Sequence, residues 1–133
     1  MQLTDVIARD GVLFARLRFE PGEPMRTSEV PGLAAAILRE LPGLKGHRCD
    51  NGAGLTFAEE LADTEIAHLV EHATLELMAM KGAPVTLRGA TSWDFAEDGR
   101  GVFRVQTEFR DEAEAREALA RADEIVGSLT RQR

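Results

Sequence analysis

The sequence predicts an α+β fold of two layers, a mostly antiparallel four-stranded sheet with about three helices on one face. Three observations carry this: a hairpin signal near the start, a second pair of strand-like runs late in the chain, and helical periodicity between and after them. Arg9-Asp10-Gly11-Val12 places an Asp-Gly turn between Leu3–Ala8 and the alternating Leu13, Ala15, Leu17 and Phe19. That pattern reads as a two-residue hairpin with strands near 2–8 and 12–20. Leu33, Ala34, Ile37, Leu38 and Leu41 then recur at helical spacing until Pro42 stops them. Residues 42–55, with four Gly, Pro42, Asp50 and Asn51, read as a long loop, and Thr56-x-x-Glu59 as a capping box opening a short turn. The central helix is expected to begin near Asp63 or Thr64 and to end at Gly82, with Ile66, Leu69, Val70, Ala73, Leu77 and Met80 as its core stripe. Pro84–Thr91 and Val102–Phe109 read as strands joined by a loop over 92–100. Asp111-x-x-Glu114 caps a last helix whose face is Ala115, Ala118, Leu119, Ala122, Val126 and Leu129.

Composition narrows the function classes. At 133 residues the chain is expected to form one domain over 1–133, large enough for a core without disulfides. Its single cysteine points away from a secreted, stapled scaffold. The longest purely apolar run, Leu33–Leu38, is six residues, so no membrane span is expected. No basic stretch followed by an apolar one opens the sequence, which predicts a cytoplasmic location. A formal charge of −7, one Trp and no Tyr argue against nucleic acid as a partner.

The chemistry lies in His68-Leu69-Val70-Glu71-His72. Residues at i and i+4 stand one above the other on a helix, so His68 and His72 can share one metal ion. Glu71 lies to one side of that pair, where a carboxylate reaches the position of an attacking water; this is the His-x-x-Glu-His order of the inverzincins. The two histidines fall nearly opposite the apolar stripe, yet Leu75 and Ala79 share their side, which suggests a partly covered face. A solvated pair flanked by Glu71 and Glu76 ion pairs is the plainer reading.

A tetrahedral zinc site needs a third protein ligand. His47 and Cys49, the remaining His and the single Cys, sit together upstream as His47-Arg48-Cys49. Cys49 is the expected third ligand. His47 and Glu76 are the alternatives, or else supports for the ligands; along a straight helix the Cα of Glu76 lies about 12 Å from that of His68, which disfavours ligation by both. Arg88, Arg100 and Arg104 are weaker candidates for holding an anion, Trp93 for a lid, and the substrate-binding residues stay unassigned.

Leu41–Cys49, then His68-Leu69-Val70-Glu71-His72-Ala73-Thr74-Leu75-Glu76-Leu77, then Gly101–Val105 followed by an acidic, alanine-rich helix, resemble the N-terminal domain of cyanophycin synthetases. The likeness runs over about residues 28–129 in the same order and with similar spacing. In that family the domain precedes an ATP-grasp ligase domain and a Mur-ligase-like domain. It is associated there with a metallopeptidase-like site that cuts an arginine-bearing polyaspartate polymer into primers. The resemblance implies that His68, Glu71 and His72 match the family's metal and catalytic positions, and that His47, Cys49 and Glu76 match its other recurrent polar positions.

Together these readings predict a zinc-dependent hydrolase with one divalent metal per chain, held by His68, His72 and Cys49, with Glu71 as general base. The substrate expected is a peptide or amino-acid polymer, for which the acidic charge favours arginine side chains. The competing class is a non-catalytic metal-binding module, completed by a second copy of the chain or by a partner amino-acid ligase.

Overall fold

The structure is a computed structural model that describes residues 1–49 and 54–131. Asp50 and Asn51 of the expected long loop lie outside the described residues.

Asp10 and Gly11 both take positive φ, 51° and 76°, the twist a two-residue hairpin needs and one that glycine adopts without a Cβ penalty. They join β1 (Gln2–Arg9) to β2 (Val12–Arg18). β2 pairs with β4 (Val102–Glu108), and β4 with β3 (Gly89–Trp93), giving the antiparallel order β1-β2-β4-β3. β3 is therefore an edge strand. Alternation sorts the two faces: Leu13, Ala15, Leu17, Phe103 and Val105 are buried, while Phe14, Arg18 and Gln106 lie on the open side.

The inward face is covered by α3 (Ile66–Met80) and α5 (Glu112–Arg131), which pack on each other. The Asp111 carboxylate accepts from the Glu114 N–H at 2.9 Å and caps α5, whose Ala115, Ala118, Leu119, Ala122 and Val126 are buried as the spacing predicts. α1 (Leu33–Glu40) ends before Pro42, and a 3-10 turn over Pro42–Gly46 follows. α2 (Phe57–Glu60) is a single turn opened by the expected capping box, with Glu59 N–H donating to Thr56 Oγ1 at 3.2 Å and Thr56 N–H to Glu59 Oε1 at 2.9 Å.

Four details differ from the sequence reading. The third strand begins at Gly89 rather than Pro84: Pro84 has no N–H for a ladder, and the chain turns at 85–86 with Val85 88% exposed. The central helix starts at Ile66, because Thr64 uses its hydroxyl on His68 and its N–H on Thr27 instead of capping. The 92–100 segment holds a helical turn, α4 (Phe95–Asp98), N-capped by Asp94. Met80, placed on the core stripe, is 64% exposed at the end of α3.

Candidate metal centre

On α3 the i, i+4 spacing sets the rings of His68 and His72 4.7 Å apart, edge to face. The chain before α2 brings Cys49 to them. One donor atom from each of Cys49, His68 and His72 lies within 4.8 Å of the others, so the three could hold a metal ion. A thiolate and two imidazoles form a donor set suited to zinc rather than to magnesium or calcium.

The imidazoles are oriented before any metal enters. Thr64 Oγ1 lies 3.0 Å from His68 Nδ1. His47 Nε2 lies 2.9 Å from Glu76 Oε1, and His47 Nδ1 lies 3.0 Å from His72 Nδ1. A carboxylate only accepts, so a neutral His47 carries its proton on Nε2 and offers a lone pair at Nδ1. His72 then donates from Nδ1, which leaves its Nε2 lone pair bare. That Nε2 is buried with no hydrogen-bond partner among the described residues, an orphan that a cation would satisfy. Phe57 of α2 fixes the ring from the other side, stacked on His72 at 3.9 Å and 14°. Burial, with His68 and His47 adding to it, pushes the His72 pKa down to about 2, and burial likewise lowers that of His68. Both rings are thereby held neutral, the form that ligates.

Glu71 sits beside this cluster, its Oε2 3.7 Å from His72 Nε2. Its Oε1 accepts from Thr91 Oγ1 at 2.7 Å across β3. Burial raises the Glu71 pKa to about 7, against the pull of the Thr91 hydrogen bond. Two glycines make room for the carboxylates. A Cβ at Gly89 would stand 2.7 Å from Glu71 Oε2, and one at Gly43 would overlap the carboxylate of Glu76.

Glu76 points to His47, away from the metal cluster, so the structure brings Cys49, His68, His72 and Glu71 together and sets His47 and Glu76 behind them. Trp93 lies edge-on to Phe103 at the rim of the cleft, and Arg88 is also in its wall. Arg104 is instead held by Asp98, at 2.6 and 3.0 Å, which takes it out of anion binding. Three contributors escape the sequence reading. Glu60 accepts from the Cys49 thiol, Thr91 holds Glu71, and Thr64 holds His68. The capping box located the turn that carries Glu60, but nothing in the spacing tied it to Cys49.

Because the Glu76–His47 pair acts on the ring of His72, a candidate ligand, Glu76→Gln is expected to weaken any zinc binding about 10–100-fold while leaving the stoichiometry at saturation unchanged. Competition with a coloured chelator measures this.

An open antiparallel sheet under two long helices, with a Cys/His/His cluster and a carboxylate in a cleft of about 710 Å³, defines a compact α+β domain with a site that could hold a metal ion. Comparison with known proteins names the family. Residues 15–131 match the sequence model of the cyanophycin synthase-like N-terminal domain, and the chain belongs to that family. It is 30% identical over 128 residues to the cyanophycin synthetases of Trichormus variabilis and of a Nostoc species, and 31% identical over 128 residues to that of Crocosphaera subtropica. In each case 92% of this chain is covered, and it spans only 13–14% of the length of those relatives. Among the described residues, no helix is long and apolar enough to cross a membrane.

Proposed function

We propose that this protein is a zinc-dependent hydrolase of amide or isopeptide bonds in a peptide or amino-acid polymer of the cyanophycin type. The observation that carries the reading is the placement of Glu71 beside the Cys49/His68/His72 cluster, buried yet facing the same cleft. Zinc, when bound, supplies Lewis acidity. Glu71 takes a proton from the attacking water and returns it to the leaving amine, a role suited by a pKa near neutrality. Thr91 holds the Glu71 carboxylate in place, and Glu60 accepts a hydrogen bond from the Cys49 thiol. The chain's net charge of −7 suits a substrate bearing arginine side chains.

A second reading is a non-catalytic metal-binding module for a partner amino-acid ligase, in which the Cys49/His68/His72 cluster would hold a metal without turnover. The test is incubation of zinc-loaded and chelator-stripped protein with arginine-bearing polyaspartate and with dipeptides. New amino termini that appear only with the loaded protein support the hydrolase. Full metal content without cleavage of any of these substrates overturns it.

The Thr91 hydrogen bond favours the ionised form of Glu71. In metal-free Thr91→Val the Glu71 carboxyl is therefore expected to titrate at higher pH than in wild type, as followed by carbon NMR of labelled glutamate.

A further inference from the structure

The hydrolytic reading leaves open how a substrate is held, and the edge of the sheet supplies an answer. β3 pairs on one side only, with β4. Phe19 N–H donates to Gly101 C=O at 2.8 Å and Phe109 N–H to Gly11 C=O at 2.9 Å, so the odd-numbered residues of β4 direct their main-chain groups at β2. Glu108 N–H donates to Arg88 C=O at 2.8 Å, which places the even-numbered residues of β3 against β4. By the alternation of an antiparallel ladder, the N–H and C=O groups of Gly89, Thr91 and Trp93 point away from the sheet. Among the described residues no main-chain partner meets them. This free edge is not on a remote face. Gly89, Thr91 and Trp93 line the same cleft as His68, Glu71 and His72, and two of the three touch the Glu71 environment directly, Thr91 by its hydroxyl and Gly89 by the space it leaves.

We propose that the substrate binds as an extended main chain that adds a strand to the edge of β3, pairing with Gly89, Thr91 and Trp93 and so laying an amide carbonyl beside Glu71 and the metal cluster. Strand addition takes its affinity from main-chain hydrogen bonds, and its alternate side chains point to opposite sides of the new strand. One set then faces into the cleft while the other faces away from it. The class of substrate this selects is a chain with free, regularly spaced backbone N–H groups, and a lone amino acid or a compact folded loop cannot satisfy the edge. A five-residue edge of which three residues face outward is short enough to limit pairing between copies of the protein while still registering a substrate.

This inference rests on the hydrolytic reading, and its test separates the two. Zinc-loaded Glu71→Gln protein is titrated with acetohydroxamate and with an acetylated tetra-alanine hydroxamate, following emission of Trp93, the single Trp of the chain. The peptide is expected to bind at least tenfold more tightly than acetohydroxamate. Methylation of alternate peptide nitrogens should abolish that gain in one register and change it less than threefold in the other. Thr91→Pro, which removes one outward N–H without touching the ladder to β4, should also lose the gain. Circular dichroism and zinc content show whether Thr91→Pro is folded; if it is not, the methylated peptides decide alone. Acetohydroxamate binding with no gain from the peptide, or equal effects in both registers, overturns strand addition and leaves the hydrolase standing. Register-sensitive binding with no cleavage by wild type upholds the edge and removes the hydrolase. Failure of acetohydroxamate to bind the loaded protein overturns both.

Discussion

Glu71→Gln is expected to keep one zinc per chain, to lose about 10²–10⁴-fold in hydrolysis and, in the metal-free state, to become more stable than wild type at alkaline pH. The first two outcomes follow from position: Glu71 lies beside the donor atoms without being one of the three, and a neutral amide cannot accept a proton. The third follows from burial. The folded state holds the Glu71 proton up to about pH 7, above the ordinary value of 4.5. Between those values the native protein binds more protons than the unfolded chain, so stability contributed by this group falls as pH rises. Gln mimics the protonated form and escapes the loss. The variant should match wild type near pH 4.5 and exceed it by up to about 3 kcal/mol at pH 8, the size set by 1.36 kcal/mol per pKa unit. Urea unfolding of both metal-free proteins across this range is the measurement; a difference that does not grow with pH would remove the buried, raised carboxyl from the account. His72 and His68 slope the other way, since their lowered pKa values make the native state bind fewer protons below about pH 6.5. Taking the difference between variant and wild type cancels them.

His72→Ala is expected to abolish zinc binding and with it the stabilisation that zinc confers. A ligand present at a thousand times its Kd stabilises the state it binds by about 4 kcal/mol. For a chain of this size that raises Tm by roughly 10–20 °C. The rise should be present in wild type and absent in the variant. Loss of the ring also destabilises the metal-free fold, because His72 is 3% exposed and stacked on Phe57. The zinc-induced shift, measured within each protein, separates the two effects. His68→Ala offers a milder second test, as His68 is only partly buried. Survival of the full shift in both variants would show that zinc binds elsewhere.

What the sequence made legible is what local geometry determines. Asp10-Gly11 specifies its turn, Thr56 and Glu59 their cap, and the four-residue spacing of His68 and His72 their shared face, all without reference to the rest of the chain. That the histidine face of α3 is partly covered was legible from Leu75 and Ala79, but what covers it was not. A helical wheel sets the histidines opposite the apolar stripe, yet Glu71, His72 and Thr74 are all buried. The cover comes from elsewhere: the segment at His47 and Phe57 on one side and β3 on the other. Periodicity describes one helix and is silent about what packs on it. The late start of β3 has a similar origin. Val85 and Leu87 have the composition of a strand, but the Glu108 side chain takes the Arg88 N–H at 2.7 Å in place of a main-chain acceptor, and only the Arg88 C=O meets β4.

Gly43 and Gly89 carry no reactive group, yet each occupies the place from which a single methyl would evict a carboxylate. In terms of sequence drift, the site is vulnerable along routes that leave all of its reactive residues in place. A one-base change to alanine at Gly89 preserves His68-x-x-Glu71-His72 in full while displacing Glu71, and the same change at Gly43 dislodges Glu76 from His47. A chain altered in this way would still display the motif and could still hold zinc through Cys49, His68 and His72. Any loss of the proposed hydrolysis in such a chain would come from packing, which no list of ligands records.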